Sequence, residues 1–347
     1  MRPFSTITLP QDLSEFDLII DARTENEYAE DHVPGAINLP VLRNQQHVGI
    51  GTLYKQNGFQ ASRQGAALIS RNLADYIESE LAELPRSHRI LIYCWRGNLR
   101  SRSFAHVLSS IGWNVSVIEG GYRHYRNFVI EQISELVETQ AFPFKIISGY
   151  TGSGKTHLLD ALEEQGKQVL DLEALANHKG SLFGSPAEGS QPAQKQYESQ
   201  LWQKLASFDP SRPVYVESES NRIGSLFCPG PLWKALKESE VIEVKLPLEE
   251  RVKIIKTDYP HLLENSQLVL ELLDKLVRLR GHEQVDQWKK QVEEHDWDSF
   301  ILSLLVNHYD IAYKAAGEEG SSYLSPVRHL AIKDSRLESY AETASQL

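Results

Sequence analysis

The sequence predicts an α/β protein: two successive units built on parallel sheets, followed by a helical C-terminal extension. Three observations predict it. The apolar run Ile90-Leu91-Ile92-Tyr93 leads into Cys94 and the basic loop Trp95-Arg96-Gly97-Asn98-Leu99-Arg100, and the run Lys145-Ile146-Ile147-Ser148 leads into the glycine-rich stretch Gly149 to Thr156. Strands buried on both faces of a parallel sheet read as such continuous apolar runs, and open α/β sheets hold their ligands at the carboxyl ends of strands. Beyond residue 248 the apolar residues recur at three- and four-residue spacing, as in a layer of helices with charged outer faces.

A chain of 347 residues is too long for one ordinary domain. The pattern divides it into residues 1–128, a helical connector at 129–143, a second α/β unit at 144–250 and a helical region at 251–347. With 41% hydrophobic and 24% charged residues the composition is that of a water-soluble globular protein. No apolar segment is long enough to span a membrane, and Met1-Arg2-Pro3-Phe4-Ser5 is not followed by the apolar core of a signal peptide. A cytoplasmic monomer without membrane contact is expected. The two cysteines, Cys94 and Cys228, form no C-x-x-C pair and no zinc quartet. Cys228, in Phe227-Cys228-Pro229-Gly230-Pro231, has no flanking donors and reads as structural. The net charge of −11 argues against indiscriminate nucleic-acid binding. It leaves room for a local basic patch, for which Arg96, Arg100, Arg102, Arg123, His124 and Arg126 are the candidates.

In chain order, residues 17–22 read as a first parallel strand, 26–31 as a short helix and 32–40 as extended. Residues 42–65 are polar and glycine-punctuated and read as a long surface excursion. The spacing of Leu68, Leu73, Ile77, Leu81 and Leu84 predicts a helix over 66–84. The Cys94 strand, a helix over 101–111, a strand over 115–119, a basic turn at 122–126 and a helix over 128–138 complete this half.

The segment from Cys94 to Arg100 enters an amphipathic run, so backbone N–H groups and a helix amino-terminus would surround the sulfur. Arg96 and Arg100 add charge, so Cys94 is expected to ionise readily, as a nucleophile in an anion-binding cup. With Asp21-Ala22-Arg23, Glu27-Tyr28, the segment His32-Val33-Pro34-Gly35-Ala36-Ile37-Asn38-Leu39-Pro40 and Glu119-Gly120-Gly121-Tyr122, this loop resembles the rhodanese domain. That resemblance implies a chalcogen adduct on Cys94. Sulfur-transferring rhodaneses usually have four residues between cysteine and arginine; here five separate Cys94 from Arg100, as in the related dual-specificity phosphatases. The wider cup suits selenium or a tetrahedral phosphate.

Gly149-Tyr150-Thr151-Gly152-Ser153-Gly154-Lys155-Thr156 matches G-x-x-x-x-G-K-[ST] between a strand and a helix over 157–164. Its glycines let backbone N–H groups reach phosphate oxygens, Lys155 supplies a point charge and Thr156 is placed to hold magnesium. A strand is predicted over 169–172, ending with Asp171 and Glu173, then a long helix over 191–208. Residues 213–220 read as a strand that delivers Glu217 or Glu219 to the position of a magnesium-directing carboxylate; either could instead cap the following turn. A fifth strand is predicted over 241–246. Helical spacing then marks 248–256, 266–280, 283–294 and 298–316, with Trp288, Trp297, Phe300 and Tyr309 as core anchors. Residues 318–322 read as an exposed loop and 329–332 as a strand or turn.

A rhodanese-like domain joined to a P-loop NTPase-like domain and a helical tail resembles the tRNA 2-selenouridine synthase family. Lys179-Gly180-Ser181, Phe183-Gly184 and the stretch from Glu217 to Gly224 add to the likeness. The resemblance implies that wobble-position 2-thiouridine in tRNA is geranylated from geranyl diphosphate, and that selenium from selenophosphate then replaces the geranylated sulfur. Cys94, Arg96, Gly97 and Arg100 would serve the selenium step, with selenium carried on Cys94 as a selenopersulfide-like adduct. The loop residues Gly149, Thr151, Gly152, Ser153, Gly154, Lys155 and Thr156 would hold the diphosphate, with magnesium, and no covalently bound cofactor is implied. Arg102, Arg123 and Arg126 are the candidate tRNA contacts. The alternatives are an ATP-dependent kinase or activating enzyme fused to a sulfurtransferase, and a non-catalytic rhodanese-type module with a nucleotide switch; an intact Cys94 cup argues against the last.

Overall fold

The structure, a computed structural model, describes residues 4–9, 13–179, 183, 189–313 and 328–347. Gly180, Ser181, Gly184 and the 318–322 loop lie outside the described residues. The chain forms two compact units, Met1–Gln132 with Ala193–Ser199, and Ile133–Pro192 with Gln200–Leu347.

The first unit holds a five-stranded sheet of β1 (Ser5–Ile7), β2 (Leu18–Asp21), β3 (Ala36–Asn38), β4 (Arg89–Tyr93) and β5 (Asn114–Ile118), in the order β1-β5-β4-β2-β3 with every pairing parallel. β4, the strand that leads to Cys94, is central. Its residues Ile90, Leu91, Ile92 and Tyr93 are fully buried, as the unbroken apolar run requires. α1 (Glu25–Glu30) starts at a capping box in which Thr24 and Glu27 satisfy each other's backbone N–H.

Residues 42–65 are not an irregular excursion: α2 (Asn44–Gln56) and α3 (Gly58–Glu78) occupy them. α2 buries no residue, so it carries no apolar face to betray its period. Its entry is fixed by the Arg43 N–H, which donates to Gln46 Oε1 at 2.9 Å, and Asn57 caps α3 by accepting the Gln60 N–H. α4 (Leu99–Ile111) begins two residues earlier than predicted. The basic segment 122–126 is not a turn but the opening of α5 (Gly121–Gln140). Tyr122, Tyr125 and Val129 are buried along one face there, and that burial holds the segment helical.

In the second unit β6 (Phe144–Ser148), β7 (Gln168–Leu170), β8 (Val214–Glu217), β11 (Glu240–Lys245) and β12 (Arg328–Ala331) form a parallel sheet in the order β12-β11-β6-β8-β7. A two-residue antiparallel ribbon, β9 (Arg222–Ile223) with β10 (Leu226–Phe227), stands apart from it. α6 (Lys155–Glu164) follows the phosphate loop. The strand expected to run to residue 172 stops at Leu170, because the Asp171 carboxylate accepts the Ala174 N–H and starts α7 (Leu172–Ala176). α9 (Gly230–Lys237) belongs to this unit, and α8 (Gln194–Ala206) begins in the Ala193–Ser199 segment of the first unit and ends in the second.

The helical layer comprises α10 (Leu248–Asp258), α11 (Pro260–Leu263), α12 (Ser266–Asp274), α13 (Val277–Arg280), α14 (His282–Glu293) and α15 (Trp297–Leu304). The helix predicted over 266–280 is thus two helices. The run predicted over 298–316 contains a π turn at Leu305–Tyr309, and its last residues, 314–316, lie outside the described residues. Trp288, Val285 and Phe300 pack in the core of this layer. α16 (Leu337–Ala344) returns to the sheet, and its Tyr340 joins the core of α6 and β11. No helix among the described residues is long and apolar enough to cross a membrane.

Candidate functional site

Cys94 leaves the end of β4 at the sheet's centre and is 2% exposed. Its Sγ lies 3.2 Å from Ser101 Oγ in the first turns of α4, and that hydroxyl also reaches the Asn98 carbonyl at 3.2 Å. The loop owes its curl to two glycines. Gly97 has φ +65°, and a Cβ there would stand 2.5 Å from the Ile118 carbonyl oxygen; Gly121 has φ +61°, and its Cβ would overlap the Cys94 carbonyl oxygen. Only glycine tolerates both the left-handed backbone and the close approach. The start of α5 is stitched onto the loop by the Tyr122 N–H to Cys94 O (2.8 Å) and the Arg123 N–H to Trp95 O (3.0 Å).

Beneath the cup lies a buried polar frame. Asp21 accepts a forked contact from Arg23 and the Tyr93 hydroxyl at 2.8 Å, and the Arg23 guanidinium stacks 3.7 Å above the Tyr122 ring. Tyr122 in turn donates to Asp31 at 2.7 Å. These pairings explain why Asp21, Arg23 and Tyr122 belong to the same motif set as the cysteine loop.

The arginines divide. Arg96 and Arg123 are exposed, and Arg102 is exposed while its Nε donates to Gly97 O at 3.0 Å. Arg100 is half-buried and binds Glu27 at 3.0 Å. Burial alone would raise the Glu27 carboxyl, but the Arg100 charge and the hydrogen bonds from Arg100 and Thr24 outweigh it and hold Glu27 below the ordinary glutamate range. Arg126 corrects its expected role. It is 8% exposed, ion-paired with Glu198 and Asp31 and within 3.3 Å of Ser199 Oγ, so its charge is taken up inside the unit and is withdrawn from any tRNA-facing surface.

The second cluster is the phosphate loop. Gly149, Gly152 and Gly154 all have positive φ, and Gly154 is the residue before α6. A Cβ on Gly149 would meet Ser153 Oγ at 2.6 Å and Val244 O at 2.7 Å, and one on Gly154 would overlap the Tyr340 ring. Tyr340 also donates to Ser153 O at 3.3 Å, so α16 braces the loop from behind. Arg251, on α10, braces it from the side: it donates to Thr151 O at 2.9 Å while its other nitrogens fork onto Asp310. Lys155 Nζ rests 3.4 Å from Gly149 O, and Ser153 Oγ is buried without a hydrogen-bond partner.

Gly149, Thr151, Gly152, Ser153, Gly154, Lys155 and Thr156 line one cleft of about 250 Å³ together with Glu173, Glu217 and Glu219. Glu217, at the end of β8, is buried; its Oε1 accepts the Glu173 N–H at 2.8 Å and its Oε2 has no partner. Burial first, then the facing carboxylates of Asp171 and Glu219, pushes the Glu217 carboxyl well up. Burial and the neighbouring Glu219 push Glu173 up to about 10, so Glu173 keeps its proton at neutral pH. An unpartnered buried carboxylate oxygen beside acidic neighbours is what a divalent cation would satisfy. Among the described residues no group of three or more His, Cys, Asp or Glu forms a metal cage by itself.

Sequence reasoning missed Ser101, Glu173, Arg251 and Tyr340. Ser101 had a local signal, a hydroxyl in the first turns of the helix after the loop. The other three reach the phosphate loop only through the fold. Cys228 is buried, and burial, with the neighbouring Glu217, pushes its thiol up to about 12.

A family model described as the tRNA 2-selenouridine synthase AAA domain matches residues 142–325, and the rhodanese-like domain model matches 8–127. The chain is 35% identical over 246 residues to the tRNA 2-selenouridine synthase of Nitrosomonas europaea, covering 70% of this chain and 63% of that one. It is 35% identical to the protein of that name from Bdellovibrio bacteriovorus, covering 70% and 64%, and 32% identical to that from Aeromonas salmonicida, covering 74% and 70%. The match thus spans somewhat under two thirds of the first two relatives' length. The domain pair, the site geometry and these matches together establish that the chain belongs to the tRNA 2-selenouridine synthase family.

Proposed function

We propose that this chain converts 2-thiouridine at the wobble position of tRNA to 2-selenouridine in two steps. In the first, the thiocarbonyl sulfur attacks C1 of geranyl diphosphate; the S–C bond forms, the C–O bond breaks, and diphosphate leaves with the electron pair. In the second, the geranylated base, selenophosphate and water yield the selenated base, geranyl thiol and phosphate; selenium stays at the selenide level throughout, the C–Se bond forms as the C–S bond to the geranyl thiol breaks, and the loop at Cys94 is proposed to hold the selenophosphate. The base is accessible at small cost because anticodon-loop bases are single-stranded.

The observation that carries the reading is that one chain holds both a buried thiol at the end of β4, with Ser101 Oγ 3.2 Å from its sulfur, and a cleft lined by a phosphate loop that includes Lys155. The first step asks a catalyst chiefly to receive a developing diphosphate anion, which oriented N–H groups and Lys155 do. A magnesium ion would add neutralising charge there, held by the Thr156 hydroxyl with Glu217 and Glu219. Arg96, Arg102 and Arg123 are the exposed cations proposed to meet tRNA phosphates.

The experiment is turnover of thiolated tRNA by purified protein with geranyl diphosphate and no ATP, read by nucleoside mass spectrometry. Geranylated thiouridine is expected, and Lys155→Ala should slow its formation on the order of a hundred- to thousand-fold, about 2.7–4 kcal/mol by analogy with loss of one oxyanion donor. A second reading, an ATP-driven activating enzyme, is favoured by Glu217 at the end of β8, where nucleotide hydrolases place a metal-directing carboxylate. A strict ATP requirement for the first step would promote it.

A further inference from the structure

The phosphate cleft does not end in solvent on every side. Thr151, Ile255, Tyr259 and Tyr309 line it and also line a second pocket, which continues into the helical layer of the same unit. The inner wall of that pocket is hydrocarbon: Leu262 from α11, Val269 from α12, and Phe300, Ile301 and Leu304 from α15, each less than a tenth exposed. The π turn Leu305–Tyr309 contributes its first and last residues to the lining, and single π turns inside helices recur at functional sites.

A nucleotide on this loop could stack its base on the pocket's aromatic side chains, but the hydrogen-bonding groups of its ribose and base would be left unsatisfied against so apolar a wall. A diphosphate ester of a hydrocarbon has the complementary design. We infer that the pocket between α10, α11, α12 and α15 receives the apolar tail of a prenyl diphosphate whose phosphates lie on the loop at Lys155, and that its depth limits the tail's length. The inference rests on the prenyl-transfer reading and adds where the tail goes. The pocket's open volume is about 50 Å³, against roughly 10–15 Å³ by that measure for one water, so it takes the end of a short chain rather than a long one.

The test compares binding of geranyl diphosphate, farnesyl diphosphate and inorganic pyrophosphate by the full-length protein with that by Val269→Phe, which fills the pocket, and Leu304→Ala, which enlarges it. Wild type should bind geranyl diphosphate at least about tenfold more tightly than pyrophosphate, since one methylene in an apolar pocket already discriminates about 10- to 200-fold. Val269→Phe should lose that preference while its pyrophosphate affinity stays unchanged, which also shows that it is folded. Leu304→Ala should bring farnesyl diphosphate closer to geranyl diphosphate, and it keeps the inference testable should Val269→Phe not fold. Equal wild-type affinity for pyrophosphate and geranyl diphosphate, or variants that leave the chain-length profile unmoved, would overturn the pocket assignment. Transfer of geranyl to thiolated tRNA is scored in parallel: transfer with an unmoved profile sinks the pocket alone. Tail-dependent binding without transfer sinks the prenyl-transfer reading and leaves the pocket standing.

Discussion

Arg126 and Arg123 sit three residues apart on α5 and have opposite fates. Arg126 is enclosed by Asp31, Glu198 and Ser199, and removing one partner of a buried ion pair strands the others' charge. Arg126→Ala should therefore destabilise by about 3–5 kcal/mol in denaturant titration. Arg102→Ala with Arg123→Ala should cost only about 0.5–1.5 kcal/mol, for the lost Arg102 hydrogen bond to Gly97 O, and instead flatten the salt dependence of tRNA binding, by about 0.7 to 0.9 in log–log slope per lost phosphate contact. An unchanged slope would move the tRNA surface elsewhere. Glu173 makes a pH prediction. Its folded carboxyl sits at about 10, above the unfolded value of 4.5, so the folded state binds the extra proton between those values. Stability from this group is complete below 4.5 and is lost as pH rises toward 10. Glu173→Gln, which cannot ionise, should melt with a smaller drop in Tm between pH 5 and 9 than wild type. An identical drop would show that Glu173 is ionised in the fold.

At the scale of elements, the strand–loop–helix units were legible because their signals are local. An apolar run, a glycine where the backbone turns left-handed, and an amphipathic run follow one another within a dozen residues, at both Cys94 and Lys155. α2 was not legible, since a helix that buries nothing has no periodic face, and Gly49 and Gly51 read as breakers. The opening of α5 reads as a turn for the complementary reason: its arginines dominate the segment, while the buried tyrosines between them fix its conformation. The brace from α16 is a tertiary fact with a sharp test. Gly154→Ala puts a Cβ into the Tyr340 ring and should cost about 1–3 kcal/mol from overpacking, with a further roughly 1–2 kcal/mol for the left-handed backbone. The same overpacking should weaken pyrophosphate binding, and adding Tyr340→Ala should restore that binding in part while stability falls further, because Tyr340 is a buried core residue. No recovery would mean that the tyrosine does not set the loop.

For the whole molecule, the proposed function rests on two short motifs and their order in the chain, and a second reading stands beside it because a phosphate loop does not name its ligand. Glu217 and Glu219 are legible as acidic groups at the end of a strand, whereas the approach of Glu173 to them and the apolar pocket behind Thr151 are not, since those residues come together only when the sheet and the helical layer fold. Under the proposed function the two steps fall to different residues, prenyl transfer to Lys155 and selenium transfer to Cys94. The most direct measurement is nucleoside mass spectrometry of thiolated tRNA incubated with geranyl diphosphate, selenophosphate and either wild type or Cys94→Ser. Wild type should yield selenouridine, and Cys94→Ser should yield none while geranylated thiouridine accumulates. Loss of both products in Cys94→Ser, or selenouridine formed without Cys94, would contradict the account.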